Sequence, residues 1–318
     1  MKNRLSSNHR VAALGLTILV LVAWTLPARA QQPADREPLL ALAPIDSPDV
    51  ERPFVYSSLD FPGATLTNAQ GINSAGDIVG FYRDRDGRFH GFLLSGEGFR
   101  SIDSPGAVAT DARGISPQGE IVGTYTDGQG RLHGYRLSAG VFTTVDVPGH
   151  LNTIAQRITA TGTIVGCFHD TDTMGTMHGI VINGDGMIDF YVPASMHNGA
   201  SPDGHRIAGL YTDMTTGRGR AYLLDNGSFM PFDVPESIFT AAWDMNPAGE
   251  IVGVYQDRAR QAHGFLLSAG EVTSIDYPDT NATRAFGINP RGDVVGSYVD
   301  TNGRTHGFLL SRTRPRKR

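Results

Sequence analysis

Three polar positions recur along this chain, and their side chains are of the kinds that bind metals or transfer protons. The first is an aspartate that follows a recurring aromatic residue by two positions, the second is a histidine before glycine, and the third is an aspartate before x-Pro. The first set is Asp84, Asp127, Asp170, Asp213, Asp257 and Asp300; the second is His90, His133, His178, His263 and His306; the third is Asp60, Asp103, Asp146, Asp233 and Asp276. Arg220 replaces one histidine and Tyr191 one of the last aspartates.

The second and third positions lie 13 residues apart within each repeat. A two-residue turn between them, such as Gly96-Glu97, would place them opposite each other on a hairpin, with Cβ atoms about 5 Å apart. The predicted pairs are His90–Asp103, His133–Asp146, His178–Tyr191, Arg220–Asp233 and His263–Asp276, with His306 meeting Asp60 where the ends of the chain join. Chemistry needs one site, whereas a hydrogen bond across a hairpin is useful in every repeat. We therefore interpret these residues as structural latch pairs and not as a catalytic cluster.

Aspartate-rich turns at 84–87, 170–172 and 300–303 have the composition of calcium loops. A calcium site needs six or more oxygen ligands, and no later acidic residue closes these turns. We interpret them as Asx-type turns.

One segment combines soft metal ligands. Cys167, His169, Met174, Met177 and His178 supply thiol, imidazole and thioether groups, the set that Cu(I) prefers. The spacing does not fix a binding geometry, and Cys167 stands where other repeats have core residues. We therefore predict no metal site and no cofactor, and keep these five residues as candidates only.

The same segment is the most irregular part of the repeat. All seven internal methionines lie between Met174 and Met245, and methionine is common at adaptable binding surfaces. Loop positions also carry function more often than the strands that hold them. We therefore predict a binding rim formed by Met174, Met177, His178 and Met214.

The elements that position these residues repeat with a period of about 43. The unit is Gly-Ile-Asn-x-x-Gly-x-Ile-Val-Gly-x-Tyr-x-Asp, then His-Gly-Phe-Leu-Leu, then Asp-x-Pro. Its central glycines are Gly76, Gly119, Gly162, Gly204, Gly249 and Gly292. The first unit predicts strands at 67–72, 77–83, 89–95 and 98–103, with turns at Gly76, Gly87 and Gly96 that need positive φ. Six units of four strands predict an all-β, six-bladed β-propeller.

The phase of the repeat predicts a closed ring. Residues 53–62 match a fourth strand with no first three before it, and the last unit ends after its third strand. The N-terminal strand would complete the sixth blade and remove two exposed sheet edges.

The repeat resembles the bacterial extracellular HAF repeat proteins, named for a His-Ala-Phe signature. Here the signature is written His90-Gly91-Phe92, His133-Gly134-Tyr135, His178-Gly179-Ile180, His263-Gly264-Phe265 and His306-Gly307-Phe308, with Arg220-Ala221-Tyr222 as the exception. The resemblance covers the whole repeat region and implies export and a propeller. It implies no activity.

The ends of the chain predict export. Residues 1–30 have a basic start, a short apolar stretch and small residues before Gln31, as in a signal peptide. Residues 31–52 form a proline-rich linker, 53–311 the propeller and 312–318 a basic tail. We expect a secreted protein, periplasmic or extracellular, with no stable membrane insertion after cleavage.

Composition narrows the function. Acidic residues outnumber basic ones, 32 to 27, which argues against nucleic-acid binding. A single cysteine excludes an intramolecular disulfide. No nucleophile elbow or His-Glu-x-x-His motif is present. We predict a monomeric interaction or ligand-binding module for a protein, glycan or small molecule. The alternative is a hydrolase or lyase with its site at the channel mouth of the propeller.

Overall fold

The computed structural model describes residues 54–169, 177–184 and 186–312. Within this part of the chain the strands form six four-stranded antiparallel sheets. The first strands of neighbouring sheets contact one another around a complete ring, so each sheet is a blade whose first strand is innermost. The predicted six-bladed propeller is confirmed.

The blades follow the order of the repeats. Blade one contains β2 (Leu66–Ile72), β3 (Ile78–Arg83), β4 (Phe89–Ser95) and β5 (Gly98–Ile102). Blade two contains β6 (Ala109–Ile115), β7 (Ile121–Thr126), β8 (Leu132–Ser138) and β9 (Val141–Val145). Blade three contains β10 (Leu151–Ile158), β11 (Ile164–His169), β12 (Met177–Asn183) and β13 (Gly186–Pro193).

The second half of the ring continues this order. Blade four contains β14 (Ser195–Ala200), β15 (Arg206–Asp213), β16 (Arg218–Asp225) and β17 (Ser228–Phe232). Blade five contains β18 (Phe239–Met245), β19 (Ile251–Gln256), β20 (Ala262–Ser268) and β21 (Glu271–Ile275). Blade six contains β22 (Ala282–Ile288), β23 (Val294–Val299), β24 (Thr305–Arg312) and β1 (Phe54–Leu59).

The ring is closed by β1, as the phase of the repeat predicts. It pairs antiparallel with β24, from Phe54 opposite Arg312 to Leu59 opposite Gly307. Tyr56 on β1 packs edge-on against Phe308 and Tyr277, with ring centroids 5.9 and 5.1 Å away. The pairing therefore hides the free edge of β24 and adds aromatic contacts to the last blade.

The core lies in the layers between blades. The aromatic residue two positions after the repeated histidine, or after Arg220 in blade four, is fully buried in five blades, as Phe92, Tyr135, Tyr222, Phe265 and Phe308. At Gly80 of blade one a Cβ would lie 2.0 Å from the carbonyl oxygen of Asn68 and 2.8 Å from the Phe92 ring. This close approach explains the glycine in Ile-Val-Gly.

Arginines tie neighbouring blades on one face. Arg88 donates to the carbonyl of Ala107 at 2.7 Å, Arg218 to Ser237 at 2.8 Å and Arg304 to Ala64 at 2.9 Å. Each runs from the loop between the second and third strands to the loop that enters the next blade. We call this the loop face of the propeller.

One detail of the first hairpin differs from the sequence-based expectation. In the first outer hairpin the glycine with positive φ is Gly98, at 94°, and not Gly96. The left-handed residue is therefore the first residue of β5, after the predicted two-residue turn. The predicted signal peptide and linker, and all of the basic tail beyond Arg312, lie outside the described residues. No helix among the described residues is long and apolar enough to span a membrane.

Candidate functional site

Four of the five repeated histidines each lie between two carboxylates. His90 Nδ1 is 2.7 Å from Asp103 Oδ1, and its Nε2 is 3.1 Å from Asp84 Oδ2. The ring also stacks on Tyr82, with centroids 5.0 Å apart. The 13-residue spacing predicted the contact with Asp103. The contact with Asp84 was not predicted, because it depends on how the loop before β4 folds back.

The arrangement repeats in three more blades, and an arginine replaces it in a fourth. His133 lies 2.7 Å from Asp146 and 3.2 Å from Asp127. His263 lies 2.7 Å from Asp276 and 3.6 Å from Asp257, and His306 lies 2.9 Å from Asp60 and 3.4 Å from Asp300. In blade four Arg220 Nε donates to Asp233 at 2.9 Å. A side chain at the second repeat position thus bonds the aspartate at the third position in five of the six blades.

The charges of these groups reinforce one another. The hydrogen bond from His90 is the largest influence holding the pKa of Asp84 below its ordinary value. For Asp127 the backbone N–H of Arg131 has the largest lowering effect on the pKa, and His133 adds to it. Partial burial lowers the pKa of His133, but its hydrogen bonds to Asp146 and Asp127 outweigh this and raise it.

This geometry suits a latch better than a catalyst. Both ring nitrogens of His90 and His133 face carboxylates, so neither nitrogen presents a free lone pair to a ligand. In the described part of the chain no group of three His, Cys, Asp or Glu side chains is arranged to hold a metal ion. The aspartate-rich turns form Asx turns, with Asp84 accepting from the N–H of Arg88 and Asp300 from the N–H of Arg304. The turn at 170–172 lies outside the described residues.

Blade three departs from the pattern. Its β12–β13 register places His178 opposite Pro193, because an irregularity between His178 and Ile180 shifts the pairing. The predicted direct pairing of His178 with Tyr191 is therefore wrong. His178 instead stacks on Phe168, at 4.9 Å between ring centroids.

The soft-metal candidates are partly brought together. Cys167 Sγ lies 3.7 Å from His169 Nε2, and Met177 packs with Cys167, Ile154 and Met196 in a buried cluster. Burial raises the pKa of the Cys167 thiol to about 12, which opposes the thiolate that a metal would bind. Met174 lies outside the described residues. The cluster explains two of the local methionines, since Met177 and Met196 fill core between blades three and four.

The residues of the predicted binding rim differ in burial. Met214 is on the loop face and 68% exposed, whereas Met177 is 1% exposed. The placement of Met177 on the rim is therefore wrong, because β12 begins at that residue and turns its side chain into the core. Met214 remains a candidate, and the loop that holds Met174 is outside the described residues.

The central channel holds residues that differ from blade to blade. Each innermost strand has a β-bulge that re-aims one side chain toward the channel. The bulge residues are Gln70, Arg113, Gln156, Asn198, Trp243 and Phe286. Two positions earlier the partly exposed residues are Asn68, Asp111 and Arg284, and the buried ones are Ile154, Met196 and Ala241. We call these two sets the channel mouth. It opens on the loop face, because each innermost strand starts there.

The position after the bulge forms a narrow neck. It is glycine in four blades, as Gly71, Gly114, Gly199 and Gly287. The backbones approach so closely that a Cβ on Gly71 would lie 2.9 Å from the carbonyl oxygen of Arg113. The other two blades carry Arg157 and Asp244, whose Nε and Oδ2 atoms lie 3.3 Å apart.

Arg157 closes the neck. Its Nη1 donates to the carbonyl of Arg113 at 2.6 Å, and its Nη2 donates to the carbonyl of Gln70 at 2.8 Å and to that of Phe286. Burial lowers the pKa of Arg157 and raises that of Asp244, while the charge of each partner opposes the shift of the other. Nη1 also donates to the carbonyl of Gln156 at 2.9 Å. These four carbonyls and the Asp244 carboxylate keep the guanidinium ionised, so the pair acts as a plug.

The sequence contained the signal for this plug. Arg157 and Asp244 interrupt a repeated glycine at the same position of two units, and one of them is basic and the other acidic. Neither residue is among the site residues predicted from the sequence. The contact between Arg157 and Asp244 depends on the ring, which places both positions around one axis.

Comparison with known proteins supports the fold and assigns no family. No family model matches the chain, and no curated protein does. TolB from Acinetobacter baumannii superposes with a TM-score of 0.53 and 15% identity, over 75% of this chain and 64% of that one. This chain thus aligns with less than two thirds of that protein.

Two further solved structures resemble the propeller along most of their length. The β-propeller domain of the Trilobed protease from Pyrococcus furiosus gives a TM-score of 0.50 and 10% identity, over 79% of this chain and 95% of that one. It is described as having an open velcro topology. The Aleuria aurantia lectin in complex with Fucα1-6GlcNAc gives a TM-score of 0.50 and 13% identity, over 77% of this chain and 91% of that one. At these identities the likeness shows the six-bladed fold alone.

Proposed function

We propose that this chain is an exported ligand-binding propeller whose binding site is the channel mouth. The observation that carries this proposal is the asymmetry of the mouth on a scaffold that otherwise repeats. At the neighbouring position of the innermost strand five blades have alanine, as Ala69, Ala112, Ala155, Ala242 and Ala285. The mouth positions carry amides, acids, bases and aromatic rings. A binding function needs one site, and at the channel mouth the residues differ from blade to blade.

The plug gives the mouth a floor. Arg157 and Asp244 have side chains only 7% and 12% exposed, so the channel is closed at the neck. A ligand entering from the loop face would meet the plug and the bulge residues. The resemblance to HAF repeat proteins supports export of such a module.

The channel-mouth enzyme is supported less well. Among the described mouth residues Asp111 is the one carboxyl group, and its pKa is raised by burial although Arg113 opposes this. No His, Cys or Ser occupies either set of mouth positions. A hydrolase or lyase generally needs a second group to act as base, acid or nucleophile. Binding without turnover is the simpler function for this set of residues.

Thermal unfolding with a panel of sugars, carboxylic acids, amino acids and short peptides tests the proposal. A ligand at 100 times its Kd stabilises the folded state by about 2.7 kcal/mol, which raises Tm by roughly 5–10 °C. Trp243→Ala should abolish the shift, and Met214→Ala, on the loop face outside the channel, should leave it unchanged. The reverse result would move the site to the rim around Met214. A hit converted to product would favour the enzyme.

A further inference from the structure

We propose that the channel mouth binds a small hydroxylated monocarboxylate, a sugar acid in chemical terms, with its carboxylate on Arg284 and an apolar face on Trp243. This inference rests on the proposed function, since it names the ligand class of the same site.

Arg284 is the first observation. It lies on β22, is partly buried, and has no hydrogen-bond or ion-pair partner among the described residues. Burial lowers its pKa, because the guanidinium has lost water without gaining a counter-charge. The other two channel arginines differ: Arg113 meets Asp111 at 3.1 Å and Arg157 meets Asp244. A guanidinium offers a planar fork that fits a carboxylate.

The charge of the mouth and neck selects an anion. Arg113 and Asp111 neutralise each other, as do Arg157 and Asp244, so Arg284 leaves one net positive charge. The rest of the protein is acidic, with 32 acidic and 27 basic residues in the whole chain. A single unpaired arginine matches a single carboxylate better than a phosphate or a polyanion. The channel is therefore the favoured place on this protein for a small monoanion.

The buried amides are an independent observation. Gln70 Oε1, Gln156 Nε2 and Asn198 Oδ1 are buried atoms without a hydrogen-bond partner, and these side chains belong to bulge residues at most 4% exposed. Their other amide atoms are occupied, for example Gln156 Oε1 by Arg113 at 3.2 Å. A buried unpaired polar atom costs about 1–3 kcal/mol. Hydroxyl groups, which both donate and accept, would satisfy all three.

Trp243 provides the second contact. Two positions before the bulge, blades three, four and five have the buried apolar residues Ile154, Met196 and Ala241, whereas blades six, one and two have polar or charged residues. Trp243 lies between these halves, partly exposed, with its ring held edge-on against Phe286 at 5.1 Å. Phe286 is on the same strand as Arg284, two residues further on. A ring with one apolar face can stack on Trp243 while its carboxylate reaches Arg284.

Isothermal titration of the full-length mature protein with D-glucuronate, D-gluconate and D-glucose tests the inference. We expect glucuronate to bind with a Kd of about 1 mM or below, and glucose to bind about 10- to 100-fold more weakly. Arg284→Gln should reduce the affinity for glucuronate by the same factor. Arg100→Gln, an exposed arginine on the outer strand of blade one, should change nothing. Since Arg284 has no described partner, its replacement should leave Tm unchanged.

Each outcome decides between the two claims. Equal binding of glucuronate and glucose, or full binding by Arg284→Gln, would overturn the anion site. If neutral sugars or peptides bind in a Trp243-dependent way and neither acid does, the ligand class is wrong and the binding function stands. If neither acid binds and no member of the wider panel gives a Trp243-dependent shift, both proposals fail.

Discussion

Arg157 of blade three and Asp244 of blade five form an ion pair across the channel, with Nε and Oδ2 3.3 Å apart. They stand at the same position of two repeats, where the other blades have glycine. The guanidinium also binds carbonyls of blades one, two and six, so one side chain joins most of the ring. The plug is therefore both the floor of the mouth and a cross-brace of the propeller.

Removing one partner of the plug should destabilise the protein strongly. Arg157→Gly leaves Asp244 buried and unpaired, which we expect to lower the free energy of unfolding by about 3–5 kcal/mol. The double variant with Asp244→Gly restores the glycine of the repeat at both positions and removes the unpaired charge. Urea denaturation should show the double variant to be more stable than Arg157→Gly. Additive losses would mean that the two residues are not coupled.

The latch pairs should make stability depend on pH. The pKa of folded His133 is raised above 6.5, so its contribution is complete below that value and is lost as the pH rises through the folded-state pKa. The free energy of unfolding should therefore fall above pH 6.5. In His133→Gln we expect this fall to be smaller, by about 1 kcal/mol or less because the pair is partly exposed. The exposed His205→Gln is the control. An unchanged pH profile in His133→Gln would contradict the ionised latch.

The acid side has the opposite sign. The folded-state pKa of Asp84 is lowered, chiefly by its hydrogen bond from His90. Its contribution is therefore present above the ordinary aspartate pKa and is lost as the pH falls through the folded-state value. Asp84→Asn should reduce the loss of stability in acid. Urea denaturation between about pH 5 and pH 2 measures this loss. The exposed Asp86→Asn is the neighbouring control.

Cys167 should be inert while the protein is folded. Burial raises the pKa of its thiol to about 12, so the thiolate is scarce at neutral pH and a reagent has no access. Ellman's reagent should react slowly in buffer and quickly in urea. The purified protein should contain no more copper than the Cys167→Ser variant. Rapid native labelling or Cys167-dependent copper would revive the soft-metal hypothesis.

Ring closure should depend on the aromatic contacts of β1. Tyr56→Ala removes a side chain that packs on Tyr277 and Phe308, and we expect a loss of about 2 kcal/mol, below the cost at a fully buried site. Val55→Ala on the same strand is the control, since Val55 is 49% exposed. Chemical denaturation compares the two. Similar losses would mean that pairing alone closes the ring.

The sequence by itself determined the repeated part of this protein. The 43-residue period predicted the six blades, the strand limits of the first unit to within a residue, and the joining of β1 to β24. It also predicted which residues face each other across the outer hairpin of every blade except blade three, such as His90 and Asp103. These contacts lie within one repeat or between ends in matching phase, so spacing along the chain is sufficient to fix them.

Only the tertiary structure decided the contents of the channel. The bulge in each innermost strand turns Gln70, Trp243 and their equivalents toward the axis, and no feature of the period reveals that direction. The meeting of Arg157 with Asp244 and the lack of a partner for Arg284 depend on distances across the ring. Those distances follow from the diameter at which six blades close, a property of the assembled core and not of any single repeat.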